Sequence, residues 1–323
     1  MNPEGLPLPG GTRRDGNNGT DPPVITAPLP GASPSAREAL THNRLKLAIF
    51  SSVYAGLPLA EAARRVRHHG FSGVILEYAF ADLCLNPLRP DWTVVETIQA
   101  AFRREEVAIA GLYGYYNVVD PDSARRLWGE ARMSFLLTNW ERLGSPVVAT
   151  ETGTFNAQSE WLESPENATE SAYARCRAAL ERLVAQAEKH GAILAIEPNW
   201  RNIIGSVDRA ARLFRDLPSP ALKLIMDPSN YYRKEDLPRM DAVLEDLFRQ
   251  VGKHTVLAHA KDVAAAGDET HLVAAGRGVL NYPLYLHLLA GLDRECFLAL
   301  ERLSLDDVPR ARDYVLRVLG VRF

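Results

Sequence analysis

Eight short apolar runs punctuate the chain, and most carry the β-branched residues that favour strands. They are Leu47–Phe50, Gly73–Leu76, Val107–Ala110, Val147–Ala149, Ala192–Ile196, Leu222–Met226, Val256–Ala258 and Cys296–Leu300. The runs are continuous rather than alternating, as expected of parallel strands buried on both faces. Longer stretches with helical apolar spacing lie between them, as in Leu59–His69, Ser123–Leu143, Glu170–His190 and Val207–Phe214. Several close on a glycine just before the next run (Gly70, Gly144, Gly191), where a left-handed residue ends a helix. The first and last runs start 249 residues apart, seven steps of about 36 residues, and each step is the length of one strand–helix unit. The repeat predicts an α/β protein, a (β/α)8 TIM barrel in a single domain. A doubly wound open sheet is the rival architecture. The first strand–helix turn, Ser51–Leu57, lacks the GxGxxG phosphate loop that such a sheet commonly carries.

The apolar pattern starts late. Residues 1–34 hold eight Pro and six Gly, which rules out regular helix or sheet, so residues 1–44 are expected to be a disordered arm and 45–323 the barrel. Hydrophobic residues make up 46% of the chain and charged residues 24%, a globular balance. The formal net charge of −3 lacks the broad basic field of a nucleic-acid binder. No apolar stretch reaches membrane-spanning length, and the N-terminal residues carry no secretory pattern. The three cysteines, Cys84, Cys176 and Cys296, are scattered and form neither a disulfide framework nor a thiolate metal motif. These features point to a cytoplasmic protein that binds neither nucleic acid nor membrane.

Candidate chemistry appears where the runs end. In a barrel, side chains at the carboxyl ends of the strands face the catalytic mouth. Glu77 ends the second run and Glu151 follows the fourth. Glu197 ends the fifth, in AIEP, and Asp227 ends the sixth, in MDPSN. His259 ends the seventh, in AHAKD, and Glu301 ends the eighth, in ALER. Any one of these alone would read as a charged residue flanking a turn, and Glu77 and Glu151 fit a rim salt bridge equally well. The last four are spaced by about one unit each, so four adjacent strands offer one ligand-type group to the same rim. Three carboxylates and an imidazole crowded together call for a divalent cation, and oxygen-rich donors favour Mn²⁺, Mg²⁺ or Co²⁺, with Zn²⁺ also compatible. His254, at the start of the seventh strand, belongs to the opposite face and is set aside.

These motifs, with Gly276-Arg-Gly278 before the last helix, resemble the xylose isomerase-like TIM barrel superfamily and, within it, the sugar phosphate isomerase/epimerase group. The resemblance spans about residues 45–320. It implies that Glu197, Asp227, His259 and Glu301 hold one metal, and that Glu197 and Glu301 also pass protons on opposite faces of a sugar-like substrate. The implied chemistry is isomerisation or epimerisation through a metal-stabilised enediolate. Lys261 would be an acid near the reacting atoms. Arg201 and Arg277, on rim loops, would hold substrate oxygens or phosphate, and Asn230, Asp262 and Glu77 would contact substrate. Tyr54, Tyr113, Tyr115, Trp200 and Tyr231 would wall the pocket or cover the barrel. Two departures matter. Asn230 stands where ketose 3-epimerases commonly have His, and the extra His ligands of the endonuclease branch are missing. Lys261-Asp262 looks more like the inosose dehydratase and general isomerase branches. The expected partner is a small sugar or polyol-like molecule, with homo-oligomerisation allowed. The rival functions are a metal-dependent dehydratase and a non-catalytic barrel that docks a partner.

Overall fold

The structure, a computed structural model, describes residues 45–267, 269–292 and 294–320. The arm expected over residues 1–44 lies outside them. In chain order the elements are β1 (Leu45–Phe50), α1 (Leu59–His68), β2 (Gly73–Leu76), α2 (Trp92–Arg104), β3 (Ala108–Tyr113), α3 (Ser123–Leu143), β4 (Val147–Glu151) and α4 (Glu170–His190). They continue with β5 (Ile193–Glu197), α5 (Val207–Asp216), β6 (Leu222–Met226), α6 (Met240–Val251), β7 (Thr255–Ala266), β8 (Glu269–Ala274), α7 (Tyr282–Ala290), β9 (Cys296–Leu300) and α8 (Val308–Val318). Each strand from β1 to β6 pairs in parallel with the next, β6 pairs with β7, β7 with β9, and β9 with β1. The sheet is therefore a closed eight-stranded parallel barrel, as the repeat predicts, with eight helices around it.

The alternation within each strand divides two cores. Along β5, Leu194 and Ile196 join the large cluster beneath the helices, whereas Ile193 and Ala195 join a smaller one. That smaller cluster is the barrel interior. It is notably small-sided, with Ala48, Ala110, Ala149, Ala195 and Ala299 beside Phe50, Ile75, Ile225 and Leu257. The same alternation puts Glu197, two residues beyond Ala195, on the inner face at the mouth. Helix ends follow local chemistry. Asp122 caps α3 by accepting from Ala124 N at 2.8 Å, and Thr169 caps α4 by accepting from Ala172 N at 3.1 Å. Gly144 and Gly191 close those helices at φ +94° and +69°.

The structure differs from the apolar pattern at β7. This strand runs past Ala258 to Ala266 and folds back on β8 as an antiparallel ladder from Lys261↔Ala274 to Ala266↔Glu269. Pattern reading stops at His259 because Lys261 and Asp262 are charged, yet both are buried. Their partners, described below, come from distant parts of the chain. No helix among the described residues is long and apolar enough to cross a membrane.

Candidate metal centre

Glu197, Asp227, His259 and Glu301 converge. Each offers a donor atom, and these four atoms lie within 4.8 Å of one another. The strands bring them there by register: β5, β6, β7 and β9 are consecutive around the barrel, and each residue sits at the carboxyl end of the inner face. His259 is fully buried, with Nδ1 2.9 Å from Glu301 Oε2, 3.2 Å from Asp227 Oδ2 and 3.3 Å from Glu197 Oε1. Phe50 holds the imidazole edge-on, with ring centroids 5.2 Å apart.

Lys261 enters the same cluster. It lies two residues beyond His259 on β7, so its side chain also faces inward. Its Nζ is 2.8 Å from Asp227 Oδ2, 2.8 Å from Glu301 Oε1 and 3.2 Å from Glu197 Oε1. Burial works against the charge of each acid, but the Lys261 ammonium and His259 hold Glu197 well below the usual carboxylate range and Glu301 below it. At Asp227 burial outweighs the same ammonium and pushes the carboxyl up to about 6. Burial opposes the Lys261 charge too, yet the three carboxylates raise its pKa.

Two observations show that these residues suit a divalent cation. Asp227 Oδ1 and His259 Nε2 are buried without a hydrogen-bond partner, whereas buried polar atoms are normally paired. The donors are three carboxylates and one imidazole, a set that hard and borderline divalent ions accept. Charge agrees: three carboxylates less one ammonium leave two negative charges, which one divalent ion cancels with His259 neutral. Lys261 and a cation draw on the same three carboxylates, so they compete. Lys261→Met should therefore raise Mn²⁺ affinity about tenfold or more, because a like charge a few ångströms away costs a few kcal/mol at a partly screened site. Titration calorimetry measures this, and a lower affinity would show instead that the lysine helps to hold the ion.

Around the ligands, Asn230 donates from Nδ2 to Glu197 Oε1 at 2.6 Å and accepts from Asn199 Nδ2 at 3.1 Å. Asn230 thus stands beside a candidate ligand. Tyr115 donates its hydroxyl to the other oxygen of Glu197 and packs on Tyr113 at 4.7 Å. Glu77 is half-buried; its backbone N–H donates to Ser51 Oγ at 2.9 Å, and burial raises its carboxyl.

Three other sequence candidates spend their charge elsewhere. Arg201 pairs with Glu269 at 3.1 Å and stacks over Trp200 at 4.0 Å. Arg277 pairs with Asp307. Asp262, 1% exposed, turns to the backbone: it accepts from Val263 N at 2.8 Å, Leu280 N at 2.9 Å and Gly276 N at 3.1 Å. Of the aromatic candidates, Tyr54 turns away and meets His69 Nδ1 at 2.8 Å, and Tyr231 is buried with an unpartnered hydroxyl.

Two mouth residues carry weaker sequence signals. Glu151, paired in register with Glu197, is 3% exposed with neither oxygen hydrogen-bonded, and burial raises its carboxyl well above the ordinary range. Its position after an apolar run was the available clue. Arg132 lies in the charged segment RRLWGEARM of α3, which reads as a solvated face. It is nevertheless buried and donates to Tyr115 O. Gly129, one turn earlier, lets Tyr116 lie directly on the helix.

Comparison with known proteins places the fold. Residues 63–315 match the family model described as xylose isomerase-like TIM barrel. A xylose isomerase-like TIM barrel protein from Mycobacterium smegmatis, solved in complex with magnesium, is 19% identical at TM-score 0.60, over 82% of this chain and 90% of that one. The probable 3-DHS dehydratase AsbF of Bacillus anthracis is 14% identical at TM-score 0.65, over 86% and 100%. The 3-keto-D-glucoside 4-epimerase YcjR of E. coli is 17% identical at TM-score 0.60, over 86% and 99%. At these identities the likeness is one of fold. No curated protein sequence matches this chain.

Proposed function

The chain belongs to the xylose isomerase-like TIM barrel family, and from that premise we propose that it is a divalent-metal-dependent isomerase or epimerase of a small polyhydroxy carbonyl compound. The observation that carries this reading is the convergence of four ligand-type side chains at the mouth, two of them with unpartnered buried atoms. When bound, a divalent cation would supply Lewis-acid polarisation of the carbonyl and adjacent hydroxyl oxygens.

The protein's own groups supply the rest. Glu197 and Glu301 come from β5 and β9, separated around the barrel by β6 and β7. They therefore flank the site from two sides. One would remove the proton next to the carbonyl, and the other would return it to the opposite face or to the neighbouring carbon. The Lys261 ammonium, 2.8 Å from Glu301, would offset negative charge growing on substrate oxygen. Tyr115 and Asn230 orient the Glu197 carboxylate from both of its oxygens.

Lys261 also supports a second reading. A buried ammonium among the proton carriers is placed to donate a proton to a departing hydroxyl, which would make the reaction a dehydration. The two separate cleanly by product: an isomer of equal mass, or an unsaturated ketone lighter by one water.

The test is proton exchange. In D₂O, the Mn²⁺-loaded protein should exchange the α-proton of a ketose or a keto-inositol, and chelation should stop the exchange. Metal analysis is the companion measurement. A metal stoichiometry near zero after supplementation would sink both enzymatic readings and leave the docking barrel.

A further inference from the structure

We propose that the mouth accepts an uncharged polyhydroxy carbonyl compound and rejects its phosphate esters; this deepens the functional reading above and rests on it. Barrel enzymes commonly grip phosphate with the loops after the last two barrel strands and the start of a short helix. Here those features are already filled with negative charge. The loop between β8 and α7 gathers the N–H groups of Gly276 and Leu280 together with that of Val263, but the Asp262 carboxylate occupies this nest. The fit leaves no spare room: a Cβ on Gly278 would lie 2.4 Å from Asp262 Oδ1 and 2.3 Å from Val263 O. The loop after β9 opens a short 3₁₀ turn, Leu305–Asp307, whose first turn carries Asp306 and Asp307. Asp306 opposes an anion there, and Asp307 is taken up by Arg277.

Three of the loop arginines are committed as well. Arg201 pairs with Glu269, Arg277 with Asp307, and Arg233 with Glu163 at 3.2 Å. Trp200 is stacked by both Arg201 at 4.0 Å and Arg233 at 4.4 Å, which fixes these guanidiniums over the ring. Lys261 is held by three carboxylates.

The inner wall tells the same story. Five carboxyl side chains end strands there: Glu77, Glu151, Glu197, Asp227 and Glu301. Against them stand Lys261 and Arg132. Adding a divalent ion brings this set only close to neutral, so nothing is left over to bind a phosphate dianion. Arg132 lies over Trp128 at 5.0 Å and near Tyr113 at 5.8 Å, and Glu77 is among the charges that act on it. Arg302, exposed beside Glu301, and Arg89, exposed in the loop after β2, have no ion pair among the described residues and are the loop cations that argue the other way. Neutral hydroxyl groups, by contrast, find both donors and acceptors in carboxyls, Asn230 and the tyrosines.

The experiment compares D-fructose, 2-keto-myo-inositol and D-fructose 6-phosphate with the Mn²⁺-loaded full chain, by α-proton exchange in D₂O and by calorimetric binding. The expected result is exchange with a neutral compound and at least a hundredfold lower kcat/KM for the ester. Glu269→Gln, which frees Arg201, should bind the ester about tenfold better than wild type and leave neutral binding unchanged. Ester binding that equals or exceeds neutral binding overturns the inference, even if exchange proceeds and the functional reading stands; its loss in Arg302→Gln would trace it to that arginine. An unchanged ester affinity in Glu269→Gln overturns the role given to the arginine pairing. Absence of both exchange and binding with all three compounds overturns the functional reading and this inference with it.

Discussion

A Glu301→Gln variant is expected to fold, to lose its divalent ion and to turn over at least about 10³-fold more slowly than wild type, a barrier increase of roughly 4 kcal/mol. The substitution keeps shape and hydrogen-bonding capacity but removes one of three carboxylate charges. That charge has two tasks at this position. It is a candidate ligand within 4.8 Å of the other three donors, and it is the proposed proton carrier on one side of the site. Glutamine cannot carry the proton, since its amide does not titrate in this range, and its neutral carbonyl oxygen is a far weaker ligand than an anionic one. Folding should survive because the cluster is over-supplied with negative charge: Lys261 and His259 still meet Glu197 and Asp227. Metal analysis, a melting curve and an exchange assay check the three parts. Wild-type turnover would remove Glu301 from the chemistry. A collapsed melting temperature would make the residue a structural anchor instead.

The largest effect on stability is expected at Asp262. Its carboxylate is buried and satisfies three backbone N–H groups that join β7 to the loop before α7. Alanine would leave those three donors without their carboxylate partner, at about 1–3 kcal/mol each. Three donors make a total loss of about 3–9 kcal/mol, and even its lower end is roughly 6–12 °C in melting temperature at about 2–4 °C per kcal/mol. Thermal unfolding of Asp262→Ala measures it directly. A shift below about 2 °C would show that the nest does not hold this loop, and would remove one support for the exclusion of phosphate.

The two residues Lys261 and Asp262 show how far pattern reading reaches. Both follow His259 in one motif, and the sequence marks both as chemistry-bearing. In the fold they part company. Successive side chains on a strand face opposite ways, so Lys261 enters the carboxylate cluster and Asp262 leaves it for the backbone. Which side each takes depends on β7 continuing past the apolar run, and that continuation depends on β8, a strand without an apolar signature of its own. Arg201 and Arg277 make the same point. As single residues they look like substrate cations, but their acidic partners lie 68 and 30 positions away. No local pattern can pair them.

By itself, the sequence determined the barrel and the four candidate ligands. Burial on both faces forces an unbroken apolar run, and a carboxylate or imidazole at the end of such a run can only be tolerated at the mouth. These are local constraints, repeated once per unit, so they survive in one dimension. The tertiary structure alone decided which charges are free. Closing the barrel brought Lys261 onto three carboxylates, Asp262 onto the loop amides, and Arg201, Arg233 and Arg277 each onto an acid. Those pairings are set by distance in space, where a few ångströms settle the sign of the local charge.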